Sequence, residues 1–262
     1  MIRSLSTAGT GMMAQQYNLD TIANNLANVN TTAFKQQRAE FQDMMYQTLS
    51  APGTPSGTST RQPVGAQVGL GTMFSASATN FDQGSLQGTG NPMDVAINGQ
   101  GFFQVQLPDG TTGYSRDGSF KKDANGLLVT SHGYPVVPNI TVPAEATTLA
   151  FSPTGQVSAS IPGQNEPQEL GVLTLATFVN PAGLARQGQN IYTSTGASGD
   201  AQTTNPGEGG AGQIQAGYLE GSNVQIVEEM VRMILAQRAY EINSKAIQTA
   251  DDMLQVLNGL KR

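Results

Sequence analysis

Apolar residues recur at every seventh position near both ends of the chain. Near the C-terminus this series consists of Ile226, Met233, Tyr240, Ile247 and Leu254. Near the N-terminus it consists of Leu5, Met12, Leu19 and Leu26, with Ile22 on the same side of a helix. A seven-residue apolar period is typical of an α-helix that buries one seam against another helix. We therefore predict two terminal helices that pair in a coiled-coil-like manner.

The C-terminal helix carries a second apolar stripe. Leu257 extends the first stripe, whereas Leu235, Ile242 and Met253 lie on the second. Two stripes require two partners, so one faces the N-terminal helix and the other faces either the body of the protein or a second copy. This pattern predicts assembly, and an ordinary helical hairpin beside a β domain is the alternative. The candidate assembly residues are Leu5, Met12, Leu19, Ile22, Leu26, Ile226, Met233, Leu235, Tyr240, Ile242, Ile247, Met253, Leu254 and Leu257.

The centre of the chain has the pattern of β-strands. Phe103, Val105 and Leu107 alternate with glutamines and are followed by a turn sequence at 108–110. Further turn sequences lie at 123–126 and 152–155. Turns that recur about every 8–12 residues are typical of a β-sandwich or a barrel-like module.

These patterns predict an α+β fold with three parts. Residues 1–34 and 222–262 form the terminal helical domain, and residues 81–204 form a mainly β, sandwich- or barrel-like central domain. Residues 35–80 and 205–221 are expected to be extended linkers. The reason is that the stretches 50–72 and 194–213 are rich in Gly, Pro, Ser and Thr.

Composition argues against an enzyme and against a nucleic-acid-binding protein. The net charge is −6 without a basic stripe, so phosphates would find few partners. There is no Cys, and the single His132 lies in a glycine turn, so we predict no catalytic residue, metal site or cofactor. No apolar run approaches the roughly 20 residues that span a bilayer, and the N-terminus lacks the pattern of a cleaved signal. Charged residues are only 12% of the chain, which suits a surface covered by copies of itself or a secreted β-protein.

Four sequence blocks together resemble the bacterial flagellar rod and hook protein family. They are 23–35 (ANNLANVNTTAFK), 94–103 (DVAINGQGFF), 114–120 (YSRDGSF) and 220–241, which begins EGSNV and ends QRAYE. Within that family, the chain length and residues 46–55 and 67–71 resemble the distal-rod branch. The alternatives are a hook or proximal rod protein and, from another class, a secreted β-module that acts as a binding protein or adhesin.

One residue departs from the family pattern. Ala33 stands before Phe34 where the family usually has Gly. The turn there must therefore either avoid a positive φ or accept its cost.

The resemblance implies a structural subunit of the flagellar basal body. It implies export by the flagellar type III apparatus without a cleaved signal, and helical polymerisation of the chain with itself. The expected product is a stiff tube that crosses the periplasm to the outer membrane, inside the P-ring and L-ring proteins. This tube would join the proximal rod proteins to the hook protein, transmit torque and conduct export substrates. We also expect residues 46–75 to reach along a neighbouring subunit and stiffen the tube.

Overall fold

The computed structural model describes residues 2–53, 63–162 and 166–259, and these residues fold into two units. The helical unit comprises residues 2–27, 37–78 and 225–259, apart from the gap at 54–62. The β unit comprises residues 28–36 and 79–224, apart from the gap at 163–165. The chain therefore passes between the two units four times.

The two terminal helices are present and pack against each other. Helix α1 spans Ile2–Ala27 and helix α2 spans Ile226–Gly259. At 1.5 Å per residue the 34 residues of α2 give a length of about 50 Å. Glu228 and Glu229 lie in the first turn of α2, where the helix dipole stabilises negative charge. The coiled-coil character of the pair remains a prediction.

The helical unit also contains four strands, in a segment expected to be a linker. Strand β1 (Gln37–Asp43) pairs with β4 (Thr72–Thr79), and β2 (Tyr46–Ser50) pairs with β3 (Ala66–Gly69). Much of the described part of residues 35–80 therefore forms paired β-strands and not an unpaired linker. Aromatic and β-branched residues flank the Gly- and Pro-rich stretch and favour strands. Residues 54–62 of that stretch lie outside the described part of the chain.

The β unit consists of short strands. Their bounds are β5 Leu86–Gly88, β6 Val95–Asn98, β7 Phe102–Gln106, β8 Thr112–Ser115, β9 Lys121–Lys122, β10 Leu128–Val129, β11 Val136–Val137, β12 Thr148–Phe151, β13 Gln156–Ser160, β14 Gln168–Val172, β15 Leu175–Thr177, β16 Ala185–Gly188, β17 Ile191–Thr193, β18 Gln202–Thr204, β19 Gln213–Ala216 and β20 Tyr218–Glu220. The main sheet has the order β16-β17-β8-β7-β15-β18, and β11 also pairs with β7. The sheet β12-β13-β14 and the pairs β9-β10, β6-β19 and β5-β20 complete the unit.

Strand β7 is buried on both faces. Phe103 belongs to the larger core cluster with Val95, Ile97 and Leu175, whereas Phe102 belongs to a second cluster with Tyr114 and Tyr192. The alternation of apolar residues with glutamines therefore does not correspond to an alternation of buried and exposed side chains, because Gln104 is also buried. This side chain is only 8% exposed, and its amide nitrogen Nε2 donates to Oγ1 of Thr203 at 3.0 Å. Buried and exposed residues alternate in a strand that has one face toward solvent, whereas both faces of β7 are buried.

The predicted turns are confirmed, but two other expectations need correction. Turns close at Leu107–Gly110, Asp123–Gly126 and Ser152–Gly155 through backbone hydrogen bonds of 2.9–3.0 Å. No sheet closes into a barrel among the residues that the structure describes. The expected linker 205–221 contains two strands, since residues 213–216 (β19) pair with β6 and residues 218–220 (β20) pair with β5. A two-layer sandwich remains a prediction.

Candidate assembly interface

The seam between α1 and α2 is made largely of small and amide side chains. A Cβ atom built on Gly11 would lie 2.9 Å from Nδ2 of Asn243, so the two helices approach closely at that point. On α2, Ala236 and Ala250 are almost completely buried. Close packing of small residues leaves the larger apolar side chains of α2 at the edge of the seam or beyond it.

A buried polar contact sets the register of α1, α2 and β1. Nδ2 of Asn25 donates to Oε2 of Glu229 at 3.1 Å and to the backbone carbonyl of Gln37 at 2.8 Å. Oδ1 of Asn25 accepts from the backbone N–H of Gln37 at 2.9 Å. Glu229 is completely buried, and its Oε1 lies 3.2 Å from Nη1 of Arg232. Buried polar groups must keep their partners, so a shift of α1 relative to α2 or β1 would cost Asn25 its hydrogen bonds.

The first two turns of α2 expose an apolar stripe, here called the N-terminal stripe. It consists of Val227, Met230, Val231 and Ile234, which are 51–75% exposed. Their spacing of i, i+3, i+4 and i+7 places them on one face of the helix. A contiguous apolar face of this kind is typical of a surface that another protein covers.

A second exposed stripe continues along α2 and is here called the lateral stripe. Leu235, Ile242, Met253 and Val256 are 53–66% exposed. Three of these residues are those of the predicted second stripe, so the helix does carry an apolar line that α1 leaves uncovered.

The strands of the helical unit add exposed apolar side chains. The ring of Phe74 stacks on Tyr17 of α1 at 5.1 Å and meets Phe41 edge-on at 6.1 Å. Other exposed apolar residues in these strands and the segments next to them are Met45, Tyr46, Leu49, Val64 and Met73. The helical unit therefore presents apolar surface on its strands as well as on α2.

The β unit contains a buried ionic cluster. Nζ of Lys35 lies 2.6 Å from Oε1 of Glu220, and Nε of Arg116 lies 3.0 Å from Oε2 of the same carboxylate. All three side chains are at most 4% exposed. Backbone carbonyls complete the cluster: Lys35 donates to Asp82 at 2.7 Å, and Nη1 of Arg116 donates to Gly99 and Gly101.

Burial shifts the pKa values of Lys35 and of the nearby Arg186. Desolvation lowers the pKa of Lys35, the charge of Glu220 opposes that change, and Arg116 reinforces it. Close by, Arg186 packs between the rings of Phe34 and Tyr192 and donates from Nη2 to the backbone carbonyl of Lys35 at 2.7 Å. Burial lowers the pKa of the Arg186 guanidinium. The cluster joins residues 34–35 firmly to the β unit.

Potential metal ligands do not cluster in the part of the chain that the structure describes. In that part of the chain, no group of three or more His, Cys, Asp or Glu side chains has a metal-binding arrangement. His132 lies exposed in its turn and stacks on Tyr134. Neither helix has an apolar stretch suited to crossing a membrane over its described residues.

Three protein-family models match the chain. They are "Flagella basal body rod protein" at residues 5–35, "Flagellar hook protein FlgE/F/G D1 domain" at 96–159 and "Flagellar basal body rod FlgEFG protein C-terminal" at 215–260. Among curated relatives, flagellar basal-body rod protein FlgG of Borreliella burgdorferi is 54% identical and covers 100% of both chains. The FlgG proteins of Agrobacterium fabrum (48%, 98% of both chains) and Bacillus subtilis (40%, 100% of both chains) are similar along the same length.

The chain belongs to the FlgG family of flagellar basal-body rod proteins. It is a structural subunit of the flagellar rod, as the sequence resemblance predicted. The relatives are structural rod proteins and not enzymes.

In this FlgG-family chain the ionic cluster takes one residue from each matched segment. Lys35 ends the first segment, Arg116 lies in the second and Glu220 lies in the third. All three residues lie inside the sequence motifs described above, but those motifs do not indicate that the residues contact each other. They are 81 or more positions apart in the sequence, so no local periodicity could have indicated their contact.

The predicted assembly residues fall into three groups in the structure. Ile22 is buried, and Leu5, Met12, Leu19, Leu26, Met233, Ile247 and Leu254 are partly buried. Ile226, Leu235, Tyr240, Ile242 and Met253 are exposed. The side chain of Leu257 lies outside the described residues. Whether these residues contact a neighbouring subunit remains a prediction.

Sequence reasoning missed the N-terminal stripe. The signal was present as Val227, Met230, Val231 and Ile234 at helical spacing. The seven-residue repeats do not include this short face, because the positions one heptad after Met230, Val231 and Ile234 are polar.

Proposed function

We propose that the chain polymerises helically with itself to form the distal rod of the flagellum. The proposal is supported by FlgG-family membership along the whole chain and by the apolar surface of the helical unit. In the polymer, α1 and α2 form an inner layer around a channel. One face of α2 packs on α1, and the exposed stripes pack on neighbouring copies.

The observation that carries this proposal is the uncovered apolar surface of α2. A fully buried Val, Ile, Leu or Met side chain contributes roughly 1.5–3 kcal/mol relative to an exposed one. Eight such side chains lie in the two stripes. Their burial between copies would offset a substantial part of the entropy lost on association.

The proposed partners follow from the position of a distal rod. Proximal rod proteins lie at one end and the hook protein at the other, and the P-ring and L-ring proteins surround the tube. The flagellar type III export apparatus delivers the subunits without a cleaved signal. The family models, which are named for rod and hook proteins together, support related subunits that pack on one another along one axis.

Replacement of Ile234 by Asp tests the interface. Ile234 is 55% exposed in the N-terminal stripe, so the charge should leave the monomer folded and place an unpaired carboxylate in the buried contact. We expect loss of polymerisation, measured by electron microscopy of purified protein and of basal bodies from cells. The monomer fold is checked by circular dichroism.

The matched control is Asn125→Asp, which adds the same charge at an exposed position in the Asp123–Gly126 turn of the β unit, outside both stripes. This control variant should still polymerise. Normal rods from Ile234→Asp would contradict the proposed interface.

A further inference from the structure

Three of the four chain connections between the units meet at one place in the β unit. They are residues 34–36, residues 80–82 and residues 220–224, each of which lies next to a boundary of the unit. The side chain of Asn223 lies where the three segments meet.

Asn223 bonds both of the other segments. Its Oδ1 accepts from the backbone N–H of Gln36 at 2.7 Å, and its Nδ2 donates to the carbonyls of Asn80 and Asp82 at 3.0 and 3.1 Å. The backbone N–H of Asn80 also donates to the carbonyl of Gln36 at 2.9 Å. A carboxamide is well suited to this position because it offers an acceptor and two donors at once.

The ionic cluster anchors the same segments to the core of the β unit. Lys35 bonds both Glu220 and the carbonyl of Asp82, and Glu220 also accepts from the backbone N–H of Gly84 at 2.9 Å. Arg116 extends these contacts to the carbonyls of Gly99 and Gly101, which lie in the connection between β6 and β7. We call Asn223 together with Lys35, Glu220 and Arg116 the clasp.

We infer that the clasp is a load-sharing anchor, which makes the three connections resist force together. This inference rests on the proposed function, because only a subunit of a rotating shaft carries torque between its parts. A single connecting segment under tension would lose its hydrogen bonds one after another. When Asn223 and the ionic cluster cross-link three segments, a pull on one of them is resisted by the bonds of all three.

The test is Asn223→Ala, which removes the three side-chain hydrogen bonds and leaves the ionic cluster intact. The control is Asn205→Ala, whose exposed side chain makes a long contact, 3.4 Å, to Glu208. Swimming speed is measured in media of rising viscosity, and rods per cell are counted by electron microscopy. We expect normal rod numbers and normal swimming at low viscosity, but loss of rotation at high viscosity for Asn223→Ala alone.

Hydrogen exchange supplies a second measurement on the purified chain. The amides of Gln36 and Asn80 should exchange faster in Asn223→Ala than in the unchanged protein and the control. If Asn223→Ala yields few rods, the exchange rates of these amides decide the outcome. Unchanged rates would overturn the inference about the clasp, and faster rates would support it. Normal rods with an unchanged response to viscosity also overturn it. That result differs from failure of the proposed function, which would appear as normal rods from Ile234→Asp.

Discussion

Ala33 shows how one residue accepts a strained backbone when its surroundings require it. Its φ is +56°, in the left-handed region, and its side chain is completely buried. Its backbone N–H donates to the carbonyl of Glu220 at 2.8 Å. Of the two outcomes left open for this turn, the chain therefore accepts the positive φ, because this conformation keeps the amide bonded.

Glycine at position 33 should have an unusually small effect on stability. Relief of the left-handed strain, worth about 1–2 kcal/mol, opposes the lost methyl burial and the greater entropy of the unfolded chain. We expect Ala33→Gly to change the free energy of unfolding by less than about 0.5 kcal/mol. Ala23→Gly, on the exposed side of α1, should lower it by about 1 kcal/mol. Urea unfolding of both variants measures the difference, and equal losses would contradict the strain at Ala33.

Lys35 is the residue whose removal should be most costly. Lys35→Met leaves the buried Glu220 without its closest cation, and breaking a buried pair typically costs about 3–5 kcal/mol. The control is Lys121→Met, at an exposed position of β9, which should stay within about 0.5 kcal/mol. Denaturant unfolding of the purified monomer gives both values. A loss below about 1 kcal/mol for Lys35→Met would show that Arg116 alone satisfies Glu220.

Among the elements, the β2-β3 hairpin is the one to which we assign a separate role. It is nested inside the β1-β4 pair, and Tyr46 pairs with Gly69 at its base. Several of its residues expose apolar side chains, Tyr46 and Leu49 among them. We propose that the hairpin lies along a neighbouring subunit and stiffens the rod.

Removal of this hairpin should soften the rod without unfolding the subunit. Residues 47–68 can be replaced by Asn-Gly, which forms a tight turn between paired strands. The β1-β4 pair and both helices then keep their contacts. We expect rods that form but bend more readily, measured from thermal bending in electron micrographs. Unchanged bending stiffness would contradict the proposed role.

At the scale of the whole molecule, the exposed apolar surface and the buried ionic cluster belong to different units. The helical unit carries the uncovered apolar surface, and the β unit carries the buried ionic cluster and the larger cores. Net charge is −6 with few charged residues overall, so we expect contacts between copies to depend more on apolar burial than on ion pairs. Polymerisation is accordingly expected to tolerate moderate salt.

Local periodicity was enough to predict the helices and several turns. The seven-residue repeats indicated α1 and α2, and turn residues indicated the ends of β7, β10 and β12. These signals are local, since a helix or a turn depends on residues within a few positions of each other. The motif resemblance then indicated the family, because its blocks lie along nearly the whole chain.

Only the tertiary structure decided which residues from distant segments meet. Lys35, Arg116, Glu220 and Asn223 come together because β5-β20 pairing and the 28–36 segment bring remote parts of the chain to one place. Burial on both faces of β7 and the pairing of the expected linkers likewise depend on long-range contacts. The sequence by itself therefore determined the two helices, several turns and the family. The tertiary structure determined which residues form the clasp and which side chains of α2 stay exposed. The reason is that burial depends on the packing of the whole chain and not on any one segment.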